Sequence, residues 1–369
     1  MLLAIDVGNT ETVIGLFDLS GSYADGEKDA GVGAGHDEKQ HAIYLAGLVH
    51  HWRTGTVPER TADEYAMNLF HLLGLVGLQI ASTVTGIAVT SSVPSAATAL
   101  KEMASRWLPG IKLIVLEPGL RSGMPILYED PREVGPDRIA NAIGAFSIYG
   151  GPCIVADLGT ATTVDGISAD GEYLGGAIMP GVSISMDALF AHAAALRQVS
   201  LTKPKSVIGR STAESIRSGI LYGYAGQLDS MCGLFRQELG EHATVVATGG
   251  LAELIVPYCQ SVDHLNSWLT LYGLKLVYLH STGTDPSDPS GAGGTAGAGS
   301  PASAASIPGM SPASAATANI TDPTATTAAD PPASITDPPI TTTGTGNPAS
   351  IDPASIDPAN DERRSNAVQ

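Results

Sequence analysis

Cysteine is scarce in this sequence. Cys153, Cys232 and Cys259 are an odd set in 369 residues, and their spacing fits neither a disulfide framework nor a zinc site. Reduced thiols are expected, and with them a cytoplasmic location. Positive charge is short as well. With 19 Lys and Arg against 37 Asp and Glu, the net charge is -18, which argues against nucleic acid or an anionic membrane as a partner. No apolar run is long enough to cross a bilayer. The N-terminus lacks a basic n-region and a small-residue cleavage site, so Met1 is expected to begin the mature protein. The P-loop pattern Gly-x-x-x-x-Gly-Lys-Ser/Thr is missing, and so is a Gly-x-Ser-x-Gly elbow. An anionic substrate would therefore have to be met by locally placed cations, helix N-termini or metal ions.

What is present suffices for a core: the chain is 43% hydrophobic and long enough for two domains. From about Ser281 the composition changes. Tyr278 is the last aromatic residue, and imperfect copies of "PASAAS", "PASITDPP" and "IDPASIDPAN" follow. With nothing large to bury, such a segment cannot offset its ordering entropy, and a disordered tail is expected over 281–369. A second glycine-rich, charged stretch at about 21–41 reads as a long hairpin loop. Its "GVGAG" imitates a dinucleotide fingerprint, but no strand leads into it and no helix follows at the right spacing.

Between these segments, strand and helix signals alternate. Residues 61–79 carry apolar residues at helical spacing behind a Thr61–Glu64 capping box. Helices are also expected over 96–107, 139–149, 181–196 and 212–239. Strands are expected at "LLAID", "VIGLF", "TGIAVTSSVP" (ending in its Ser-Ser-Val-Pro turn), "IKLIVLEP", "CIVAD", "TTVDGIS", "ATVVAT" and, last, "LKLVYLH". The alternation means α/β layers. His50-His51 read as a solvated turn or strand end rather than a metal pair, and Trp268 as a core residue.

One pattern occurs twice. "LLAIDVGNTETVIGLF" and "CIVADLGTATTVDGI" are each a buried strand, Asp-x-Gly, a turn containing Thr, and a second strand. A hairpin needs a turn but no carboxylate at the strand's end. Small residues and exposed N–H groups beside an acid suit a phosphate with its metal. Asp6 and Asp157 are thus equivalent points in two halves of one chain. A third element, "VVATGG", leaves room for a ribose or base to approach the backbone. This order resembles the two phosphate motifs and the adenosine motif of the actin and sugar-kinase superfamily.

Between the halves, "GPDR" opens a helix and sets Asp137 and Arg138 at its N-terminus. There an anion is favoured, and a guanidinium can pair with a carboxylate. The bland reading of these two residues is an N-cap Asp beside a surface Arg. Taken in order, "DVGNT", "GPDR", "DLGTATT", "GGAIMPG", "STAESIRSG" and "HLNSWLTLYGL" make residues 1–280 similar to a type III pantothenate kinase.

The resemblance implies two ribonuclease-H-like, actin-like α/β domains around a central cleft, at 1–138 and 139–280. It implies transfer of the γ-phosphoryl of ATP to the hydroxyl of pantothenate, the first step of coenzyme A synthesis. Nucleotide binding is implied for Asp6, Val7, Gly8, Asn9, Thr10, Glu11, Thr12, Val13 and Thr160. Pantothenate binding is implied for Gly135, Pro136, Asp137 and Arg138, with Tyr128 and Thr212. Asp137 matches the catalytic base, and Asp157 matches the ligand of a monovalent cation, K⁺ or NH₄⁺. A homodimer with the pantothenate site near its interface is implied too.

The residues suit that chemistry. Phosphoryl transfer asks mainly for positioning and charge neutralisation. N–H groups at 8–10 and 159–160 suit phosphate oxygens, Asp6 suits Mg²⁺ held with ATP, and Asp137 suits removal of a proton from an alcohol. Arg138 is expected to keep Asp137 ionised and to attract the substrate carboxylate. Thr212 reads otherwise as a helix cap. Two other readings stand beside the kinase: a non-catalytic regulator with the same fold, and a phosphatase of the same superfamily. The first would lack Asp137 or Asp157; the second would show a glutamate base and a basic channel.

Overall fold

The structure is a computed structural model describing residues 1–20, 47–117, 119–120, 122–193 and 195–283. The glycine-rich stretch at 21–41 and the low-complexity segment after 283 lie outside the described residues.

The first sheet grows around β1 (Leu2–Val7), which is buried on both faces, as a central strand with a continuous apolar run must be. It pairs antiparallel with β2 (Glu11–Phe17), and β2 with β3 (Leu48–Gly55). On its other side β4 (Gly86–Ser91) and β5 (Lys112–Val115) run parallel to it, giving the order β3-β2-β1-β4-β5. Leu3, Ile5 and Val7 face a core made with α1 (Ala62–Leu75) and α3 (Pro94–Trp107). Between those helices α2 (Ile80–Thr83) is a single turn. The expected capping box starts α1: Thr61 Oγ1 accepts from the Glu64 amide at 3.3 Å, and Glu64 Oε2 accepts from the Thr61 amide at 2.8 Å.

The second sheet repeats the first. β6 (Cys153–Leu158), β7 (Ala161–Ile167) and β8 (Tyr173–Pro180) form the antiparallel part. β9 (Thr244–Thr248) and β10 (His264–Leu265) form the parallel part, in the order β10-β9-β6-β7-β8. Both sheets therefore share one plan, that of two ribonuclease-H-like units. The outer face of the second is covered by α5 (Val182–His192), α6 (Thr212–Leu239) and α7 (Ala252–Ile255).

Two helices fill the space between the sheets: α4 (Pro136–Tyr149) and α8 (Leu269–Thr282). Their core joins Leu2, Ala4 and Phe17 of the first sheet to Val155, Ile167 and Val246 of the second. Each fully buried Leu or Val of this kind contributes about 1.5–3 kcal/mol. The helices meet at Gly144 and Gly273, where a Cβ on Gly273 would run into the Ala140 carbonyl.

The expected last strand, "LKLVYLH", is part of α8. Its local alternation imitates a strand, but Leu269, Leu274, Val277 and Tyr278 are buried at helical spacing. Among the described residues the last strand is the two-residue β10. His50 and His51 lie within β3, not in a turn or at a strand end, because β3 must run to Gly55 to pair with Glu11.

Candidate active site

Both Asp-x-Gly turns open at the same edge of the molecule. In the first, the Gly8 amide donates to the Glu11 carbonyl at 3.0 Å, leaving Asn9, Thr10 and Glu11 exposed. The hydroxyl of Thr10 lies 3.0 Å from that of Thr160 in the second turn. Two residues 150 apart in sequence, one from each Asp-x-Gly turn, thus touch across a cleft. Other members of the nucleotide set face inward. Val7 and Thr12 are buried, the Thr12 hydroxyl lies 2.9 Å from that of Thr56, and Val13 packs against the central core. Their side chains are turned away from a phosphate, and their backbones are paired within the first sheet.

Behind the turns lie the carboxylates. Asp6 sits opposite Thr90 on parallel β4, and Asp157 opposite Thr248 on parallel β9. Burial holds the Asp6 carboxyl well above the usual carboxylate range, and the charges of Asp137 and Asp157 raise it further; Arg53 pulls it back. Burial, then the charge of Asp137, pushes Asp157 up to about 7, partly offset by a hydrogen bond from Asn141. That bond, Asn141 Nδ2 to Asp157 Oδ2, is 2.9 Å long, and Thr270 Oγ1 on α8 donates to Asn141 Oδ1 at 2.7 Å. The charges of Asp137 and Asp157 bear on Asp6, and that of Asp137 on Asp157. A cation would relieve this repulsion, and carboxylate oxygens suit Mg²⁺ or a monovalent ion. Among the described residues, however, no three such side chains are grouped to cage a metal without further ligands such as ATP phosphates or water.

Asp137 reaches this cluster from the first turn of α4. Gly135 is the N-cap and Pro136 the first helical residue, so Asp137 is not the cap. Its Oδ1 accepts from the Arg138 amide at 2.9 Å, and its Oδ2 from Ser92 Oγ at 3.2 Å. A side chain on Gly135 would meet Asp137 Oδ1 at 2.5 Å, so the glycine keeps that oxygen accessible.

Arg138 is not a surface residue. It is 7% exposed, and its Nε and Nη2 both donate to Asp165 Oδ1, at 2.9 and 2.5 Å. Tyr173 Oη donates to the same oxygen at 2.7 Å, and Thr163 Oγ1 to Oδ2 at 3.2 Å. The charge of Arg138 is spent chiefly on Asp165, not on Asp137 as expected. Tyr128 lies beside this group, its ring 6.4 Å from that of Tyr173 and against Gly175. Thr212 stands exposed as the first residue of α6, whose cap is Ser211, and no hydrogen bond joins it to Tyr128, Asp137 or Arg138.

The "VVATGG" element closes the cleft from the second half. Gly249 has φ +96°, and a Cβ there would strike Asp157 Oδ1 and the Leu158 backbone. Gly250 faces Arg53, which pairs with Glu11 at 3.1 Å and lies 5.7 Å above the Trp268 ring. Trp268, expected as core, packs partly buried against the central core, with His51 4.0 Å away.

Arg53, Ser92, Asn141 and Asp165 were not singled out from the sequence. Only Asp165 left a signal: an acid inside the apolar strand "TTVDGI" must find a partner once buried.

A profile of the type III pantothenate kinase family matches residues 2–233. A type III pantothenate kinase of Acidothermus cellulolyticus is 44% identical over 278 residues, covering 75% of this chain and 98% of that one. One from Streptomyces griseus is 44% identical over 284 residues, covering 75% and 97%. Among solved structures, the inorganic polyphosphate/ATP-glucomannokinase of Arthrobacter sp. strain KM superposes with a TM-score of 0.39 at 14% identity, covering 76% and 98%.

Proposed function

The chain belongs to the type III pantothenate kinase family, and on that premise we propose how its cleft performs the family's reaction. The enzyme transfers the γ-phosphoryl of ATP, taken with a divalent metal, to the hydroxyl of pantothenate. The product, 4'-phosphopantothenate, enters coenzyme A synthesis. The observation that carries the site assignment is the convergence of Asp6, Asp137 and Asp157 behind the joined hydroxyls of Thr10 and Thr160.

In this reading the two turns hold the polyphosphate by backbone N–H groups of residues 9–11 and 159–160, with the Thr10 and Thr160 hydroxyls between them. Asp6 holds Mg²⁺, and Asp157 a monovalent cation, K⁺ or NH₄⁺. Such ions supply charge neutralisation for the transferring phosphoryl group. Asp137 takes the proton from the acceptor hydroxyl as the oxygen attacks phosphorus, a role typically worth ~10²–10⁴-fold in rate. Ser92 and the Arg138 amide orient its two oxygens. Pantothenate lies along Tyr128 and Gly135–Arg138, its carboxylate toward the Arg138 guanidinium.

Exposed apolar side chains support a homodimer with this site near its interface. Leu174 and Ile178 lie on edge strand β8, Ile184 and Leu189 on α5, and Val207 and Ile208 precede α6. A dimer also gives Thr212 a route to substrate that no contact supplies within one chain. No described helix is long and apolar enough to cross a membrane; we place the enzyme in the cytoplasm, where its cysteines stay reduced.

Coupled ADP release, with and without pantothenate and K⁺, tests the reading. Turnover should require pantothenate and rise with K⁺. ADP release indifferent to pantothenate would overturn the substrate assignment.

A further inference from the structure

Arg138 presents a buried cation whose three guanidinium nitrogens are treated unequally. Nε and Nη2 are bound to Asp165, an ion pair with side chains 8% and 1% exposed. Asp165 is itself saturated by Tyr173 Oη and Thr163 Oγ1, and the guanidinium carbon lies 5.9 Å from the Tyr173 ring centre. Gly176, opposite Asp165 on β8, completes the enclosure, because a Cβ there would strike both Asp165 and Arg138. Nη1 has no partner among the described residues, yet it is not among the buried polar atoms left unsatisfied. It is the one guanidinium nitrogen still open to an incoming group.

We infer that Asp165, with Tyr173 and Thr163 behind it, is a positioning residue that sets the enzyme's selectivity for a carboxylate on the acceptor. It locks two nitrogens of Arg138 inward and leaves Nη1 as the donor the carboxylate reaches. The inference rests on the pantothenate reading above. A guanidinium clamped from behind cannot swing toward Asp137 or the phosphates, so its charge selects the acceptor without competing for ATP. An acceptor that is neutral at that end forgoes the charged hydrogen bond while Nη1 still loses its water.

The test compares pantothenate with its alcohol analogue, in which a hydroxymethyl group replaces the carboxylate. Tyr173→Phe and Asp165→Asn are measured against the wild type. Tyr173→Phe should raise KM for pantothenate several-fold, and Asp165→Asn about tenfold or more, with kcat changing far less. KM for the analogue and the affinity for ATP, read by calorimetry, should stay within twofold, so the preference for the carboxylate narrows. Losses in kcat on both acceptors together, or an unchanged preference, would overturn the inference and leave a purely structural ion pair. Should Asp165→Asn fail to fold, Tyr173→Phe and Thr163→Val decide alone. A wild type that ignores pantothenate would sink the functional reading itself, a result distinguishable from unchanged selectivity.

Discussion

Gly15 and Asp165 occupy the same register position in two copies of one hairpin. Gly15 lies opposite Ala4 and Asp165 opposite Val155, each two residues before the site aspartate of the neighbouring strand. In the first copy the missing side chain leaves room that Leu271 of α8, Leu48 and Phe17 fill. In the second, the same slot holds a carboxylate that receives Arg138 of α4. One position thus admits an apolar side chain from one central helix and a guanidinium from the other. The duplicated frame supplies two matched aspartates, and unequal packing behind them leaves an apolar slot in one half and a buried ion pair in the other.

The strongest way to sharpen this contrast is to remove the acid that belongs to neither hairpin. Asp137→Asn should lower turnover by ~10²–10⁴-fold while calorimetric ATP binding stays near normal; near-normal turnover would strip Asp137 of its role. Next come the matched aspartates. Asp157→Asn should lose the response to K⁺, whereas Asp6→Asn should keep it at a rate lowered about 10²-fold. If both variants lost the K⁺ response equally, the two carboxylates would share one cation.

The contrast can also be broken by giving the first half the second half's chemistry. Gly15→Asp puts an unpaired carboxylate among Leu271, Leu48 and Phe17 and should cost ~3–5 kcal/mol in denaturant unfolding. A cost below about 1 kcal/mol would mean that the slot is wetter than its neighbours imply.

Proton linkage gives a smaller effect. Asp6 and Asp157 are held above their unfolded range, so the folded chain keeps protons that the unfolded chain releases from about pH 4 upward. Their contribution to stability is full below that point and is lost as pH rises through the folded values, about 7 for Asp157. Tm of the unliganded protein should therefore be lower at pH 8 than at pH 5.5, and Mg²⁺-ATP with K⁺ should narrow the gap. A Tm that rises steadily to pH 8 would contradict the linkage. Smallest of all, Thr61→Ala should cost ~1 kcal/mol through the lost α1 cap and leave kcat untouched.

Local signals were legible wherever they were strong. The capping box of α1, the paired Asp-x-Gly hairpins and the helix opened by Gly135-Pro136 could all be read, because each is written within a few consecutive residues. The misread α8 shows the limit. "LKLVYLH" alternates like a strand over seven residues, and only contact with the first sheet and with Gly144 of α4 decides for a helix.

The sequence by itself determined the repeat, the two turns and the family, and it singled out the three carboxylates of the proposed site. Strand period, turn chemistry and motif order are properties of neighbouring residues. Tertiary structure alone decided that Arg138 turns to Asp165, that Arg53 bridges Glu11 and Trp268, and that Asn141 links Asp157 to Thr270. Those partners lie 27, 42 and 129 residues apart for the bonds to Asp165, Glu11 and Thr270. A buried charge or amide takes whichever complementary group the packed core brings within reach, and no local spacing encodes that choice.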